Sequence, residues 1–132
     1  MDAKLSRRER ERQKREEEMI DAAERIFFAK GYDAASMDEI AKAAQFTKRT
    51  IYQYFSSKED LYFAVACKWF RRLSAGFEEA LAKGENGYEK FRLSGLAYYQ
   101  FFTDFPAAFR VLNYCNVIKT NKDTSTYFQQ LM

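Results

Sequence analysis

Residues that interrupt helices are scarce in this chain, which has one proline and five glycines among its 132 residues. Apolar residues recur at intervals of about 3.6 residues, the period of an α-helix, whereas the strict alternation of half-buried strands is absent. Hydrophobic residues make up 47% of the sequence, which supplies enough apolar surface for a packed core. We therefore predict an all-α fold.

Helix caps and apolar periodicity place the predicted helices. Residues 36–39 and 57–60 have the form of capping boxes at the starts of the second and fourth helices, and Gly31 suits the end of the first. The predicted helices run over roughly 16–30, 36–44, 47–55, 57–84 and 88–103, and Pro106 begins a sixth. A loop is predicted at 119–125, followed by a new helical pattern at 126–132.

Predicted helices 2 and 3 are short and are separated by a tight turn at Gln45 and Phe46. A short helix, a tight turn and a second short helix form the helix-turn-helix arrangement, whose second helix enters the major groove of DNA. Such a pattern also occurs by accident in all-α proteins. The charge of predicted helix 3 is therefore the more informative signal.

The first turn of predicted helix 3 carries the opposite charge to its neighbours. Helices 2 and 4 place acids there, as the helix dipole prefers, but Thr47 is followed by Lys48, Arg49 and Thr50. Four cations and no acid lie in residues 40–58. A phosphate backbone would supply the missing negative charge. The alternative is an ordinary solvated face.

The spacing divides predicted helix 3 into two faces. Three apolar residues are placed to meet the core: Phe46, Ile51 and Phe55. Four polar residues project elsewhere: Lys48, Arg49, Tyr52 and Gln53. Arg49 or Lys48 can pair with O6 and N7 of guanine, and Thr50 can meet a base edge or a thymine methyl group. The hydroxyls of Tyr52 and Tyr54 can donate to phosphate, and Lys58 follows a few residues later.

Two segments resemble a known family. The stretch SMDEIAKAAQFTKRTIYQYFSSKEDLYFAV (36–65) resembles the signature of the tetracycline-repressor (TetR) family of bacterial transcription factors, and YYQFFTDFPAAFRVL (98–112) resembles part of that family's regulatory domain. The resemblance implies a three-helix helix-turn-helix domain joined by a long helix to a helical ligand-binding domain. It also implies that Ser36, Tyr52, Tyr54 and Lys58 hold phosphates and that residues 47–50 face the groove. The predicted DNA-binding residues are Ser36, Thr47, Lys48, Arg49, Thr50, Tyr52, Gln53, Tyr54 and Lys58.

The sequence departs from the family pattern at two positions where glycine is common. One is Gln45, where a left-handed backbone would cost a non-glycine residue about 1 kcal/mol, unless the turn has another conformation. The other is Arg49, where the arginine adds a group able to read a base or grip a phosphate.

The flanking regions complete the predicted organisation: a charged extension at 1–18, the helix-turn-helix domain at 19–60 and a partial regulatory domain at 61–132. Residues 4–15 hold seven cations and two acids, which indicates either a solvated helical extension or a basic arm that contacts phosphates or the minor groove. The helical pattern at 126–132 ends on apolar residues, so we expect a truncated chain whose partner surface is missing. The resemblance implies that the full-length protein is a homodimer whose interface is formed by further C-terminal helices.

Sixteen of the 23 aromatic residues lie in 61–132, where the resemblance implies an apolar effector pocket. The pocket candidates are Trp69, Phe70, Phe91, Tyr98, Tyr99, Phe102 and Phe109. Alternatively these aromatic residues are simply core. The expected effector is a hydrophobic or amphipathic small molecule. In a second hypothesis, a protein partner docks on this region while the helix-turn-helix domain holds DNA.

Several functions are disfavoured by composition. Because the chain has no histidine, histidine metal ligands, Ser-His-Asp triads and Cys-His pairs are excluded. Cys67 and Cys115 lie far apart and are expected to be buried free thiols, with a disulfide, a sensor or a nucleophile as the less favoured alternative. No stretch resembles a signal peptide or a membrane span. We predict a cytoplasmic DNA-binding regulator with no cofactor, metal or enzymatic activity, and the family resemblance implies a repressor of a palindromic operator.

Overall fold

The computed structural model describes residues 5–121, without the side chains of residues 116, 117 and 119–121. This part of the chain contains α-helices and no strand, in agreement with the predicted fold class. The helices are α1 (Arg7–Lys30), α2 (Met37–Ala44), α3 (Lys48–Tyr54), α4 (Lys58–Lys83), α5 (Gly87–Asp104) and α6 (Pro106–Asn121). Residues 119–121 are thus helical rather than part of the predicted loop, and the pattern at 126–132 lies outside the described residues.

Helix α1 begins well before the predicted start near Glu16. Ser6 caps it, and its Oγ accepts a hydrogen bond of 3.1 Å from the backbone N–H of Glu9. Residues 7–15 show no apolar stripe, so periodicity cannot detect a helix there. Arginine, lysine, glutamate and glutamine nevertheless have high helix propensity. From Arg7 onwards, the charged extension is therefore part of α1.

The two predicted caps, at Ser36 and Ser57, are confirmed, and Thr47 caps the helix between them. Ser36 Oγ accepts from the N–H of Glu39 at 3.2 Å and donates to its carboxylate, which closes a capping box. Thr47 Oγ1 accepts from the N–H of Thr50 at 3.1 Å at the start of α3, and Ser57 Oγ accepts from Asp60 at 3.2 Å at the start of α4. These side chains satisfy backbone donors that a helix leaves open at its first turn.

Glu39 also connects α2 to the end of α1. Its carboxylate forms an ion pair with Lys30, the last residue of α1. The hydrogen bond from Lys30 lowers the pKa of Glu39, with a smaller contribution from Ser36 and partial opposition from desolvation. The start of α2 is therefore fixed both by its own cap and by the preceding helix.

The chain divides into two compact units at Val65, within α4 and near the predicted boundary after Asp60. The core of the first unit is built around Met19, Phe27, Ile40, Ile51, Phe55 and Leu61, all of which are buried. The rings of Phe27 and Tyr62 meet edge to face at 4.9 Å, and Tyr32 meets Tyr62 in the same way at 5.1 Å. This packing holds α1 to α3 against the beginning of α4.

The second unit begins at Ala66 and has its own aromatic cluster. Trp69 is buried and lies 5.0 Å from Phe105 and 6.2 Å from Phe101, measured between ring centroids. The guanidinium of Arg72 lies 4.2 Å from the centroid of Phe105. Trp69 therefore belongs to the core of this unit.

The turn between α2 and α3 has a left-handed residue at Gln45, with φ 62° and ψ 36°. The N–H of Gln45 bonds to the carbonyl of Lys42 at 3.2 Å, and that of Phe46 bonds to the carbonyl of Ala41 at 3.0 Å. This pair of bonds is a Schellman motif, which ends many helices and favours glycine at the left-handed position. Gln45 therefore has the left-handed backbone, not the alternative turn conformation that the sequence also allowed.

Replacing Gln45 by glycine is expected to raise the free energy of unfolding by about 0.5–1 kcal/mol, because glycine adopts the left-handed conformation without steric cost. Chemical denaturation followed by circular dichroism measures the change. Gln45→Ala is the matched control, since it removes the side chain but keeps Cβ and should give no gain. A glycine variant no more stable than the alanine variant would contradict the expectation.

Candidate nucleic-acid interface

Helices α2 and α3 form a helix-turn-helix in which α3 presents one face to the core. Ile51 is fully buried, Phe55 is 2% exposed, and Phe46 in the turn is half-buried. These are the three residues whose spacing predicted a core-facing side. Because they fix the rotation of α3 about its axis, the opposite side of the helix is directed outwards.

The outward face of α3 consists of Lys48, Arg49, Tyr52 and Gln53, all exposed. It contains no acid, and the first turn of α3 contains none either. The predicted division of the helix into two faces is confirmed. This face combines positive charge, an aromatic hydroxyl and an amide, which together can contact both phosphates and base edges.

An acid from α2 partly compensates the charge at the start of α3. Lys48 Nζ lies 3.3 Å from Asp38 Oδ1, in a pair whose side chains are 51% and 74% exposed. An ion pair so exposed contributes roughly 0–1 kcal/mol, so a phosphate can displace the carboxylate at little cost. Asp38 belongs to the first turn of α2, so the charges of α3 considered alone do not predict this ion pair.

Arg49 has a different environment. Within the described part of the chain, its exposed side chain makes no ion pair or hydrogen bond. A guanidinium group offers a rigid fork of donors that matches O6 and N7 of guanine. Among the cations of α3, Arg49 is therefore the more available for contact with a base.

The two threonines at the start of α3 contact one another. Their hydroxyl oxygens are 2.8 Å apart, and Thr47 also caps the helix. Thr47 is exposed and Thr50 is half-buried. Their hydroxyl groups thus stabilise the first turn that presents Lys48 and Arg49.

Tyr54, the last residue of α3, packs against the N-terminal part of α1. The guanidinium of Arg12 lies 4.4 Å from the centroid of its ring, within the range of a cation–π interaction. Sequence reasoning did not single out Arg12. The signal it missed is that Arg12 continues the core-facing stripe of α1 towards the N-terminus.

Ser36 ends the loop between α1 and α2, and the side chain of Lys58 reaches the same loop from the start of α4. The ammonium of Lys58 donates to the carbonyl oxygens of Tyr32 at 2.8 Å and Ala35 at 3.1 Å, and it lies 4.2 Å from the centroid of the Tyr32 ring. Ser36 uses its hydroxyl in the capping box. Lys58 therefore braces this loop with two of its three donors, and phosphate contact by either residue stays a prediction.

The second unit contains an open groove of about 390 Å³, within the size range of sites for small molecules. Its apolar lining includes Leu73, Leu93, Leu96 and Phe101, and its charged lining includes Arg72, Glu79, Lys83 and Asp104. The seven predicted pocket residues do not line it. They are Trp69, Phe70, Phe91, Tyr98, Tyr99, Phe102 and Phe109.

Those seven aromatic residues have different environments. Trp69 is core, and Phe109 packs edge to face on Phe102 at 4.8 Å. Phe91 is 81% exposed, and Phe70, Tyr98, Tyr99 and Phe102 are exposed as well. Helix α5 is apolar on several sides, so periodicity cannot indicate which side would enclose a ligand. A pocket formed by these residues stays a prediction.

The described residues were also compared with the requirements of metal binding, membrane insertion and thiol chemistry. They contain no group of three side chains suited to a metal ion, and none of their helices has the length and apolarity needed to cross a membrane. Neither Cys67 nor Cys115 takes part in a disulfide within the described residues, and both are half-buried rather than buried as predicted. Burial raises the pKa of Cys67, with Arg71 acting in the opposite direction, which disfavours a reactive thiolate.

Residues 19–65 match the family described as bacterial regulatory proteins, tetR family. The chain is 34% identical over 101 residues to the HTH-type transcriptional activator FasR of Mycolicibacterium smegmatis, covering 76% of this chain and 46% of that protein. It is 39% identical over 46 residues to the negative regulator IcaR of the biofilm operon in Staphylococcus aureus, covering 35% of this chain and 25% of that protein. The chain thus spans less than half the length of these relatives.

A solved TetR-like transcriptional regulator from Rhodococcus sp. RHA1 has the same fold, with a TM-score of 0.67 and 25% identity. The similarity covers 91% of this chain and 67% of that one. The helix-turn-helix geometry, the family match and these relatives agree with one another. The chain belongs to the TetR family of transcriptional regulators.

Proposed function

We propose that this regulator recognises a palindromic DNA operator through α3, with Arg49 as its main base-reading residue. The observation that carries the proposal is the exposed, acid-free face of Lys48, Arg49, Tyr52 and Gln53 on the second helix of the helix-turn-helix. An α-helix fits the major groove, where each base pair presents a distinct pattern of donors and acceptors.

The residues of α3 divide into reading and positioning roles. Arg49 is suited to a bidentate contact with guanine, and Gln53 to one with adenine. The hydroxyls of Tyr52 and Tyr54 are suited to phosphates, as is the ammonium of Lys48 once it leaves Asp38. Thr47 and Thr50 hold the first turn in place.

The length of α3 supports DNA recognition by a dimer. Seven residues span about 10 Å at 1.5 Å per residue, which is roughly three base pairs. So short a half-site is too frequent to specify an operator. Two copies related by a two-fold axis would read an inverted repeat with half-sites about 34–36 Å apart, or a multiple of that distance.

We also propose that a small molecule bound to the second unit regulates DNA binding. The groove of about 390 Å³ in the second unit is lined by both apolar and charged side chains, which suits an amphipathic small molecule. A ligand that prefers the conformer with weaker DNA affinity lowers DNA binding. The largest possible change in DNA affinity is set by the ratio of the ligand's affinities for the two conformers. The names of the relatives include both an activator and a negative regulator. We propose repression, because an operator-bound dimer can exclude polymerase without any further contact.

Selection of bound sequences from a random DNA library tests the proposal. The expected result is enrichment of an inverted repeat with at least one guanine in each half-site. In a parallel selection with Arg49→Ala, preference at that guanine should relax while the spacing of the half-sites is kept. Failure to enrich any sequence over the input library would overturn sequence-specific recognition.

A further inference from the structure

The core-facing stripe of α1 changes from apolar residues to arginines along its length. In its second half the stripe is formed by the buried residues Met19, Ala22 and Ala23. Continuing towards the N-terminus at intervals of four and three residues, the same stripe carries Arg15, Arg12 and Arg8. We call these three residues the arginine stripe. At helical spacing they lie on the side of α1 that faces the rest of the first unit.

The arginine stripe lies beside the end of the reading helix. Its middle member, Arg12, places its guanidinium 4.4 Å from the ring centroid of Tyr54 in α3. Arg8 and Arg15 lie about one helical turn to either side of Arg12, and both are exposed. The stripe therefore extends the positive surface of α3 beyond its C-terminal end.

The remaining charges of the extension are arranged differently. Arg7 forms an ion pair with Glu11 at 3.3 Å, and Arg10 donates to the carbonyl of Leu5 at 2.8 Å. In the described residues, by contrast, neither Arg8 nor Arg15 takes part in an ion pair. Acids flank the stripe but none lies within it. Within the described residues, no carboxylate is paired with Arg8 or Arg15, and both side chains are exposed to solvent.

We propose that the arginine stripe binds phosphates of double-stranded DNA next to the bases that α3 reads. The inference rests on the proposed function, because it needs α3 to be seated in the groove. From Arg8 to Arg15 the stripe is about 10 Å long, which matches about three nucleotide steps of one strand. Planar guanidinium groups form paired hydrogen bonds with phosphate oxygens. Binding of the stripe to the same stripe of a second chain is disfavoured, since like charges would face each other.

The test compares two triple variants that remove the same charge. In the stripe variant Arg8, Arg12 and Arg15 are replaced by glutamine, and in the control Arg7, Arg10 and Lys14 are replaced by glutamine. Affinity of the full chain for a 30-bp duplex is measured over a range of salt concentrations. The slope of log K against log salt should fall in magnitude by about 2.7 for the stripe variant, or about 0.9 for each phosphate that is no longer neutralised, and by less than about 1 for the control.

A third variant separates charge from folding. Replacing the three stripe arginines by lysine keeps the charge, and most of the salt slope should return. Circular dichroism of each variant checks that α1 stays helical. Equal loss of slope in the stripe and control variants would overturn the inference, as would an unchanged slope in the stripe variant. If the wild-type protein binds no duplex even at low salt, the proposed function fails instead.

Discussion

Replacing Arg49 by alanine is expected to weaken binding to the selected operator by roughly 5- to 150-fold, which corresponds to the loss of about 1–3 kcal/mol for one bidentate base contact. Arg49 is exposed on the acid-free face of α3 and makes no ion pair within the described residues. Its removal therefore disturbs no contact that holds this domain together. Titration of operator and random duplexes at one salt concentration measures the effect.

The loss on random DNA should be smaller, because a random duplex offers Arg49 only a phosphate. Lys42→Ala is the matched control, since Lys42 is an exposed cation on α2 outside the reading face. Arg49→Lys keeps the charge but not the fork of donors, so it should retain random binding and lose operator preference. Equal losses on both duplexes for Arg49→Ala would remove its base-reading role.

The features that could be predicted from the sequence are local ones. Ser36, Thr47 and Ser57 cap helices whose backbone donors lie three residues away, so their role follows from short spacing. The two faces of α3 were predictable for the same reason. Seven residues of known helical phase contain both the buried Ile51 and the exposed Arg49.

The features that were missed depend on contacts between elements. Lys58 meets the carbonyl of Tyr32, which lies 26 residues away, and Arg12 meets Tyr54 at the end of another helix. No spacing rule within one helix encodes such pairs. The start of α1 was missed for a different reason: an amphipathic pattern predicts burial, whereas residues 7–15 are helical without being buried.

Lys58 is the residue whose contact with another element is expected to matter most for stability. The family resemblance implies a phosphate contact, but the structure places its ammonium against two backbone carbonyls and the ring of Tyr32. Those carbonyls belong to the loop that precedes α2, so Lys58 ties the start of α4 to the start of the helix-turn-helix. Bracing and phosphate binding predict different effects of the same substitution.

Replacing Lys58 by methionine removes the ammonium group but keeps a stem of similar length. We expect the free energy of unfolding of the first unit to fall by about 2–4 kcal/mol, because each of the two hydrogen bonds from the charged ammonium contributes roughly 1.5–3 kcal/mol and water can replace part of this at the half-buried site. Chemical denaturation measures the loss. Lys42→Met, at an exposed lysine of the same unit, should change stability by less than about 0.5 kcal/mol.

DNA binding by the same variant, measured where it remains folded, separates the two roles. If the third donor of Lys58 also holds a phosphate, the salt slope should fall in magnitude by about 0.9 on operator and random DNA alike. If Lys58 only braces the loop, the slope stays unchanged while stability falls. Unchanged stability together with a reduced slope would refute the bracing role, and Lys58 would then act on DNA alone.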